Sequence, residues 1–329
     1  MKDSGMTRRD FVRSSIAGAS ALGVGLGFDL HPAFAAAAAE PTGKPSAGKI
    51  GDFKISLAEW SINKRLFADR SKMTKMNLDF PKIAREEFGI EAVEFVNQFF
   101  KDKAHDSAYL KDLKKRADDN GVTCVLIMID GEGDLSAKEA DARTKAVENH
   151  KQWVDAAASL GCHSIRVNTG GNYGPTNTTS AAEACGALAE YGAANKINVI
   201  CENHGGPSSD PNSLLALIKA VGKDNFGTLP DFGNFPKNRQ ERYLLDIYDA
   251  IARMMPYAKG VSAKSYNFDE KGDETSLDYA RILKIVTDSG YKGFVGIEYE
   301  GGRLTEPQGI RATKKLLESL RGANYSPEV

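Results

Sequence analysis

At 329 residues, 41% of them hydrophobic and 26% charged, the chain has material for one large hydrophobic core or two small ones. A formal net charge of −1 gives no electrostatic ground for a nucleic-acid partner, which favours a clustered basic face. Four cysteines (Cys124, Cys162, Cys185, Cys201) form no CxxC pair and are too scattered for a disulfide scaffold, so buried free thiols are expected.

The chain opens on a segment that does not read as part of a fold. Thr7-Arg8-Arg9-Asp10-Phe11-Val12 resembles the twin-arginine export signal, a pair of arginines followed two positions on by a hydrophobic residue. A weakly apolar stretch rich in Gly and Ala covers 15–28, and Pro32 then leads into a small-residue cleavage pattern, Ala33-Phe34-Ala35. This is the layout of a secretory leader. Residues 1–40 are therefore expected to be a cleavable signal peptide and linker, with export to the periplasm or cell surface. Residues 40–50 read as a flexible connector. Beyond the leader no uninterrupted apolar run reaches membrane-spanning length, so the mature form is expected to have no membrane partner.

From Gly51 onward, short β-rich runs alternate with longer helical patterns. The strands are predicted at 54–60, 91–96, 123–130, 163–169, 197–203, 226–231, 259–265 and 293–299. Several are near-continuous apolar runs, as parallel strands covered by helices require. Between them, apolar residues recur at helical spacing, as in Leu244, Ile247, Tyr248, Ile251 and Met255, or Leu277, Ile282, Leu283 and Val286. Gly89, Gly121, Gly161 and Gly290 each close a helical pattern just before a strand. Ser180 and Asp210-Pro211 read as helix starts. Eight such alternations predict a single α/β (β/α)8 barrel over 51–322. An open doubly wound sheet would want a glycine-rich fingerprint after the first strand, and Leu57-Ala58-Glu59-Trp60-Ser61-Ile62-Asn63 contains none.

In a barrel of this kind the C-terminal strand ends converge on one mouth. Those ends supply Glu59-Trp60, Glu94, Asp130, Arg166 and Asn168, Glu202-Asn203-His204, Asp231, Lys264 and Glu298-Tyr299-Glu300. Carboxylates placed directly after apolar runs are costly to bury without a partner. A divalent cation is the economical one. Glu202, Asp231 and Glu298, at the ends of strands five, six and eight, can approach one point. Oxygen ligands suit Mn2+ first, then Mg2+, Co2+ or Zn2+. A salt bridge to a barrel Lys or Arg is the plain structural alternative for any one of them.

At these residues the chain resembles the xylose-isomerase-like TIM-barrel superfamily of sugar isomerases and epimerases, and within it the branch with twin-arginine leaders. The resemblance runs over about 55–320 and is carried by GIEAVEFVNQ (89–98), LIMID (126–130), IRVN (165–168), CENHGG (201–206), PDFGNF (230–235), AKSY (263–266) and GIEYEG (296–301). It implies a divalent metal held by Glu202, Asp231 and Glu298. The family's usual fourth ligand, a histidine two residues before a lysine on strand seven, is replaced by Ser262 ahead of Lys264. The substrate-contacting histidine often found three residues beyond the strand-six aspartate is replaced by Asn234.

The chemistry so implied is proton abstraction next to a carbonyl on a neutral keto-sugar, giving isomerisation or epimerisation. Glu202 and Glu298 are the candidate acid/base pair, and His204 is an alternative base or substrate contact near the metal. Lys264 would steady oxyanion charge. Trp60, Phe232 and Tyr266 would offer apolar faces to the sugar, while Glu94, Arg166, Asn168, Asn203 and Asn234 are further candidate contacts. His105 and His163 read as structural or exposed, and His150, within a helical pattern after Glu148-Asn149, is open and leans structural. A lyase or hydratase on 3-keto-glycosides is the second reading, and a non-catalytic periplasmic sugar-binding barrel the third. The superfamily's endonuclease branch is disfavoured, because the richer ligand set and basic groove it needs are lacking. A homodimer is an open option.

Overall fold

The computed structural model describes residues 41–327; the leader expectation for 1–40 lies outside them. Eight parallel strands form the core: β1 (Lys54–Ala58), β2 (Ala92–Val96), β3 (Thr123–Ile129), β4 (Ser164–Val167), β5 (Asn198–Glu202), β6 (Phe226–Leu229), β7 (Val261–Ser265) and β8 (Phe294–Tyr299). Their order is β6-β5-β4-β3-β2-β1-β8-β7. Parallel bridges Thr228↔Ala258 and Asp231↔Ser262 then bring β7 back against β6 and close the barrel. The seam is thinner than the other ladders because Pro230, just after β6, has no N–H to donate. It is carried by Lys259 N to Thr228 O, Ser262 N to Pro230 O and Phe232 N to Ser262 O, all 3.0–3.1 Å.

Helices follow the strands: α1 (Met73–Phe88), α2 (Ser107–Asp119), α3 (Ala140–Leu160), α4 (Thr179–Ala194), α5 (Pro211–Val221), α6 (Ile247–Met254), α7 (Tyr279–Asp288) and α8 (Glu306–Leu320). All five residues of β2 are buried, as expected for strands covered on both faces. Glycine closes α1 and α3 because the chain must turn left-handed there, with φ of 62° at Gly89 and 73° at Gly161. Asp210 caps α5 by accepting from Asn212 N and Ser213 N, with Pro211 as the first helical residue.

Several helix expectations shift; Leu277, for one, stands before the Asp278 cap of α7, and Met255 lies just past the end of α6. α4 begins at Thr179, so Ser180 lies inside it rather than at its start. Leu244 is not part of α6: that helix starts at Ile247, behind an Asp246 cap, and Leu244 is 64% exposed. A strong local cap overrode the apolar spacing. The four cysteines are buried and free. Among the described residues no helix is long and apolar enough to cross a membrane.

Candidate functional site

The register of the strands decides which side chains meet. Lys264 pairs with Glu298 across β7 and β8, and Ser262 is bridged to Asp231. Glu202 ends β5. Glu202, Asp231 and Glu298 are 2%, 0% and 5% exposed, and each offers a carboxylate oxygen within 4.8 Å of the others'. Three acids far apart in the chain thus share one buried spot.

Two cations accompany them. Lys264 Nζ lies 2.8 Å from Glu298 Oε1, 3.3 Å from Glu300 Oε1 and 3.8 Å from Asp231 Oδ2. Arg166 Nε lies 2.9 Å from Glu202 Oε2, but its N–H points off that oxygen and has no hydrogen-bond partner. The same guanidinium reaches Asp130 Oδ1 at 2.9 Å. Neutral donors complete the shell. Ser262 Oγ lies 2.7 Å from Asp231 Oδ2 and 3.1 Å from Glu298 Oε2, with a single proton to donate to one or the other. Gly233 N and Asn234 N donate to Asp231 Oδ1, and Asn234 Nδ2 donates to Glu202 Oε1 at 2.9 Å.

The electrostatics are undercompensated. Burial pushes Glu202 up to about 7, offset only in part by Arg166, and raises Asp231 to about 7 against the pull of Lys264. Burial opposes the charge of Glu298 as well, but the adjoining Lys264 outweighs it and holds that carboxyl below its ordinary value. Burial works against the Lys264 ammonium, and the surrounding carboxylates, Glu298 foremost, more than reverse this and raise it well above its usual value. Burial and the shortfall of positive charge, three acids against two cations, together draw two of the carboxyls toward protonation.

The other expected site residues fall into three groups. His204, Asn234 and Tyr266 line a pocket of about 460 Å3 at the mouth, with Gly233, Phe235 and Lys237 among its other walls; no aspartate or glutamate lines it. Partial burial of the imidazole, and then Arg166, hold His204 below its usual pKa. Arg166 and Asn168 form a cluster on Asp130, which accepts from Asn168 Nδ2 at 2.7 Å. Trp60 is half-buried beside the rings of Phe67 and Phe99 and donates its Nε1 to Glu300 Oε1 at 2.6 Å.

Several residues hold other places than the sugar contacts expected of them. Asn203 is fully buried; its side chain donates to Asp231 O (3.0 Å) and accepts from Asp231 N (2.7 Å), so it is a strut for the aspartate. Phe232 is fully buried and packs edge-on against Tyr279. Glu94 is 2% exposed, inside the barrel beside Gly296; Ser56 Oγ donates to its Oε1 at 2.5 Å and its Oε2 has no partner. A register shift between Val93 and Glu94 sets it there. Burial raises its carboxyl to about 8. Lys264, expected at an oxyanion, is 2% exposed and committed to carboxylates. Glu59 is likewise internal, held by Asn77 Nδ2 and Val96 N, and burial lifts it to about 8. His150 is buried, with Nδ1 2.7 Å from Ala146 O, and has a structural role.

Two contributors were missed. Glu300 stood among the strand-end acids, yet its bridge between Trp60 and Lys264 depends on the β8 end meeting the turn after β1. Lys237 lies in a loop without periodicity, and no sequence signal marks it.

A family model described as xylose isomerase-like TIM barrel matches residues 83–321. The crystal structure of a D-psicose 3-epimerase in the presence of D-fructose superposes with a TM-score of 0.61 at 17% identity, covering 82% of this chain and 100% of that one. A xylose isomerase-like TIM barrel protein from Mycobacterium smegmatis, in complex with magnesium, superposes with a TM-score of 0.61 at 16% identity, covering 83% and 98%. At such identities these likenesses concern the fold. A C-glycoside deglycosidase alpha subunit from Arthrobacter globiformis is 36% identical over 73 residues, 21% of this chain and 21% of the relative, so the match spans about a fifth of that protein's length. Since the family model runs from within α1 to the end of α8, well over half of the sequence, the chain belongs to the xylose isomerase-like TIM barrel family.

Proposed function

We propose that the chain is a divalent-metal-dependent enzyme that moves a proton on the carbon next to a carbonyl of a keto-sugar, as an isomerase or epimerase. One observation carries the reading: three buried carboxylates from β5, the turn after β6, and β8 converge within 4.8 Å with only two cations to balance them. The donor set fits a hard cation, being all oxygen and short of positive charge. Glu202, Asp231 and Glu298 would hold the ion, with the Ser262 hydroxyl beside it. A bound divalent ion supplies Lewis acidity toward a carbonyl and its neighbouring hydroxyl, a contribution of several kcal/mol. Mn2+ leads among the candidates, with Mg2+, Co2+ and Zn2+ behind it.

The chain's own groups perform the proton transfer. Glu298, its negative charge supported by Lys264, takes the proton from the carbon while the C–H electron pair shifts toward the carbonyl oxygen. Glu202, held by Asn234 and facing the same spot from β5, returns a proton. His204 on the pocket wall is the alternative acid or base. Arg166 keeps Glu202 and Asp130 in place, and the aromatic Trp60 and Tyr266 bound the mouth.

Elimination from a 3-keto-glycoside is the second reading. It uses the same abstraction but expels the group β to the carbonyl, and it is favoured by the similarity to a C-glycoside deglycosidase subunit. The experiment is direct: purify the exported form, determine its metal content, and incubate it with ketohexoses and 3-keto-glycosides with and without EDTA. A new sugar without bond cleavage supports the epimerase; released aglycone supports the lyase. A metal-free protein unchanged by Mn2+ and inert on both panels would leave a non-catalytic sugar-binding barrel. Twin-arginine export belongs to the same proposal, and N-terminal sequencing that finds Met1 on the exported protein would refute cleavage.

A further inference from the structure

Lys237 stands at the far wall of the mouth pocket on a turn whose backbone is set. Lys237 and Tyr243 pair as an antiparallel bridge, Asn238 N donates to Arg242 O and Leu244 N to Pro236 O, each at 3.0 Å. Glu241 adopts a left-handed φ of 58° to close the turn. This presents the ammonium of the half-buried Lys237 residue to two aromatic faces: Lys237 Nζ is 4.7 Å from the Tyr243 ring centroid and 4.6 Å from that of Tyr266. Ring faces hold a cation by their quadrupoles without cancelling its charge. Among the described residues Lys237 forms no ion pair. The pocket it enters is lined by no carboxylate, although it adjoins the carboxylate centre through Asn234, whose amide touches Glu202 at 2.9 Å. His204 adds an imidazole to the same wall.

We propose that this pocket recognises an anionic oxygen group, a carboxylate or a phosphate, on the sugar whose carbonyl end meets Glu202, Asp231 and Glu298. The inference rests on the sugar reading above and moves the substrate from the neutral sugars expected from sequence to acidic ones. A pre-positioned, uncompensated ammonium gains a charge-assisted hydrogen bond from such a group, about twice as strong as the bond to a neutral hydroxyl. Asn234 separates the two functions, steadying Glu202 on one side and lining the anion pocket on the other.

The test uses calorimetric titration of the full mature protein, and of Lys237→Gln and Lys237→Arg, with D-glucuronate, D-glucose 6-phosphate and D-glucose. At least one acid is expected to bind about tenfold more tightly than glucose, equivalent to about 1.4 kcal/mol. That advantage should vanish in Lys237→Gln, return in part in Lys237→Arg, and shrink with added salt. Preference for glucuronate assigns a carboxylate, and preference for the phosphate ester assigns a phosphate. Equal affinities, an advantage that survives Lys237→Gln, or no binding of either acid overturns the proposal. Turnover of a neutral 3-keto-glycoside by a wild-type protein that prefers neither acid over glucose would overturn it while leaving the catalytic reading intact, so the two fail separately.

Discussion

Replacing Lys264 by methionine separates the structural role of its ammonium from a metal's role. The ammonium lies 2.8 Å from Glu298, 3.3 Å from Glu300 and 3.8 Å from Asp231. At an effective dielectric constant near 20 these attractions amount to roughly 6, 5 and 4 kcal/mol before the desolvation of each charge is subtracted. The Glu300 contribution shrinks further, since that side chain is 33% exposed. Methionine fills similar volume but leaves buried carboxylates without their cation, so Lys264→Met is expected to lose about 3–5 kcal/mol when metal-free. The same ammonium also repels a divalent ion at the triad. The variant should therefore bind Mn2+ more tightly than the wild type, and added Mn2+ should restore more stability to it. At a free concentration of about 100 Kd the ion returns about 2.7 kcal/mol. Urea denaturation with EDTA and over a Mn2+ series, together with direct Mn2+ titration, measures both effects. If Mn2+ stabilises neither protein, the carboxylates are not a metal site. If it stabilises the wild type more than the variant, Lys264 supports the metal and the repulsion argument is wrong.

Two further changes probe the barrel interior. The Glu94 carboxyl is raised from 4.5 to about 8 by burial, so the unfolded chain releases this proton first and stability falls as pH rises between those values. Glu94→Gln should match the wild type near pH 4.5 and exceed it by about 2–4 kcal/mol at pH 8, within the ~5 kcal/mol that the full difference allows; parallel pH profiles in urea denaturation would refute this. Gly296→Ala would place a Cβ 2.5 Å and 2.6 Å from the two Glu94 oxygens in a closed interior. It should cost about 1–3 kcal/mol by overpacking, and adding Glu94→Ala should recover part of that; an additive double variant would show that the two side chains do not compete for space.

Most of the site's anionic half was legible because barrel strands carry it. A buried parallel strand writes itself as an apolar run, and the polar residue that ends the run marks the mouth, as Glu202 after Asn198–Cys201 and Glu298 after Phe294–Ile297 show. The same rule misjudged Asn203 and Glu94, and Phe232, expected to offer the sugar an apolar face, is packed against Tyr279 instead. Position on a strand tells which way a side chain points only until a bulge, a bridge or a neighbouring backbone claims it. Asn203 is claimed by the Asp231 peptide groups, and Glu94 is set inside by the register shift before it. Leu244 shows the converse, an apolar residue at helical spacing left exposed because Asp246 starts the helix three residues later.

Periodicity, turn residues and strand-end acids determined the barrel and named the three carboxylates, because each is a local property of backbone geometry and burial. The tertiary structure alone decided what stands opposite them. That Lys264 lies among the acids, that Glu300 joins Trp60 to it, and that Lys237 rests on two tyrosine faces beside a carboxylate-free pocket all depend on loops from different strands meeting at the mouth. Charge pairing is set by distance in space, and nothing in the order of residues along the chain encodes that distance directly.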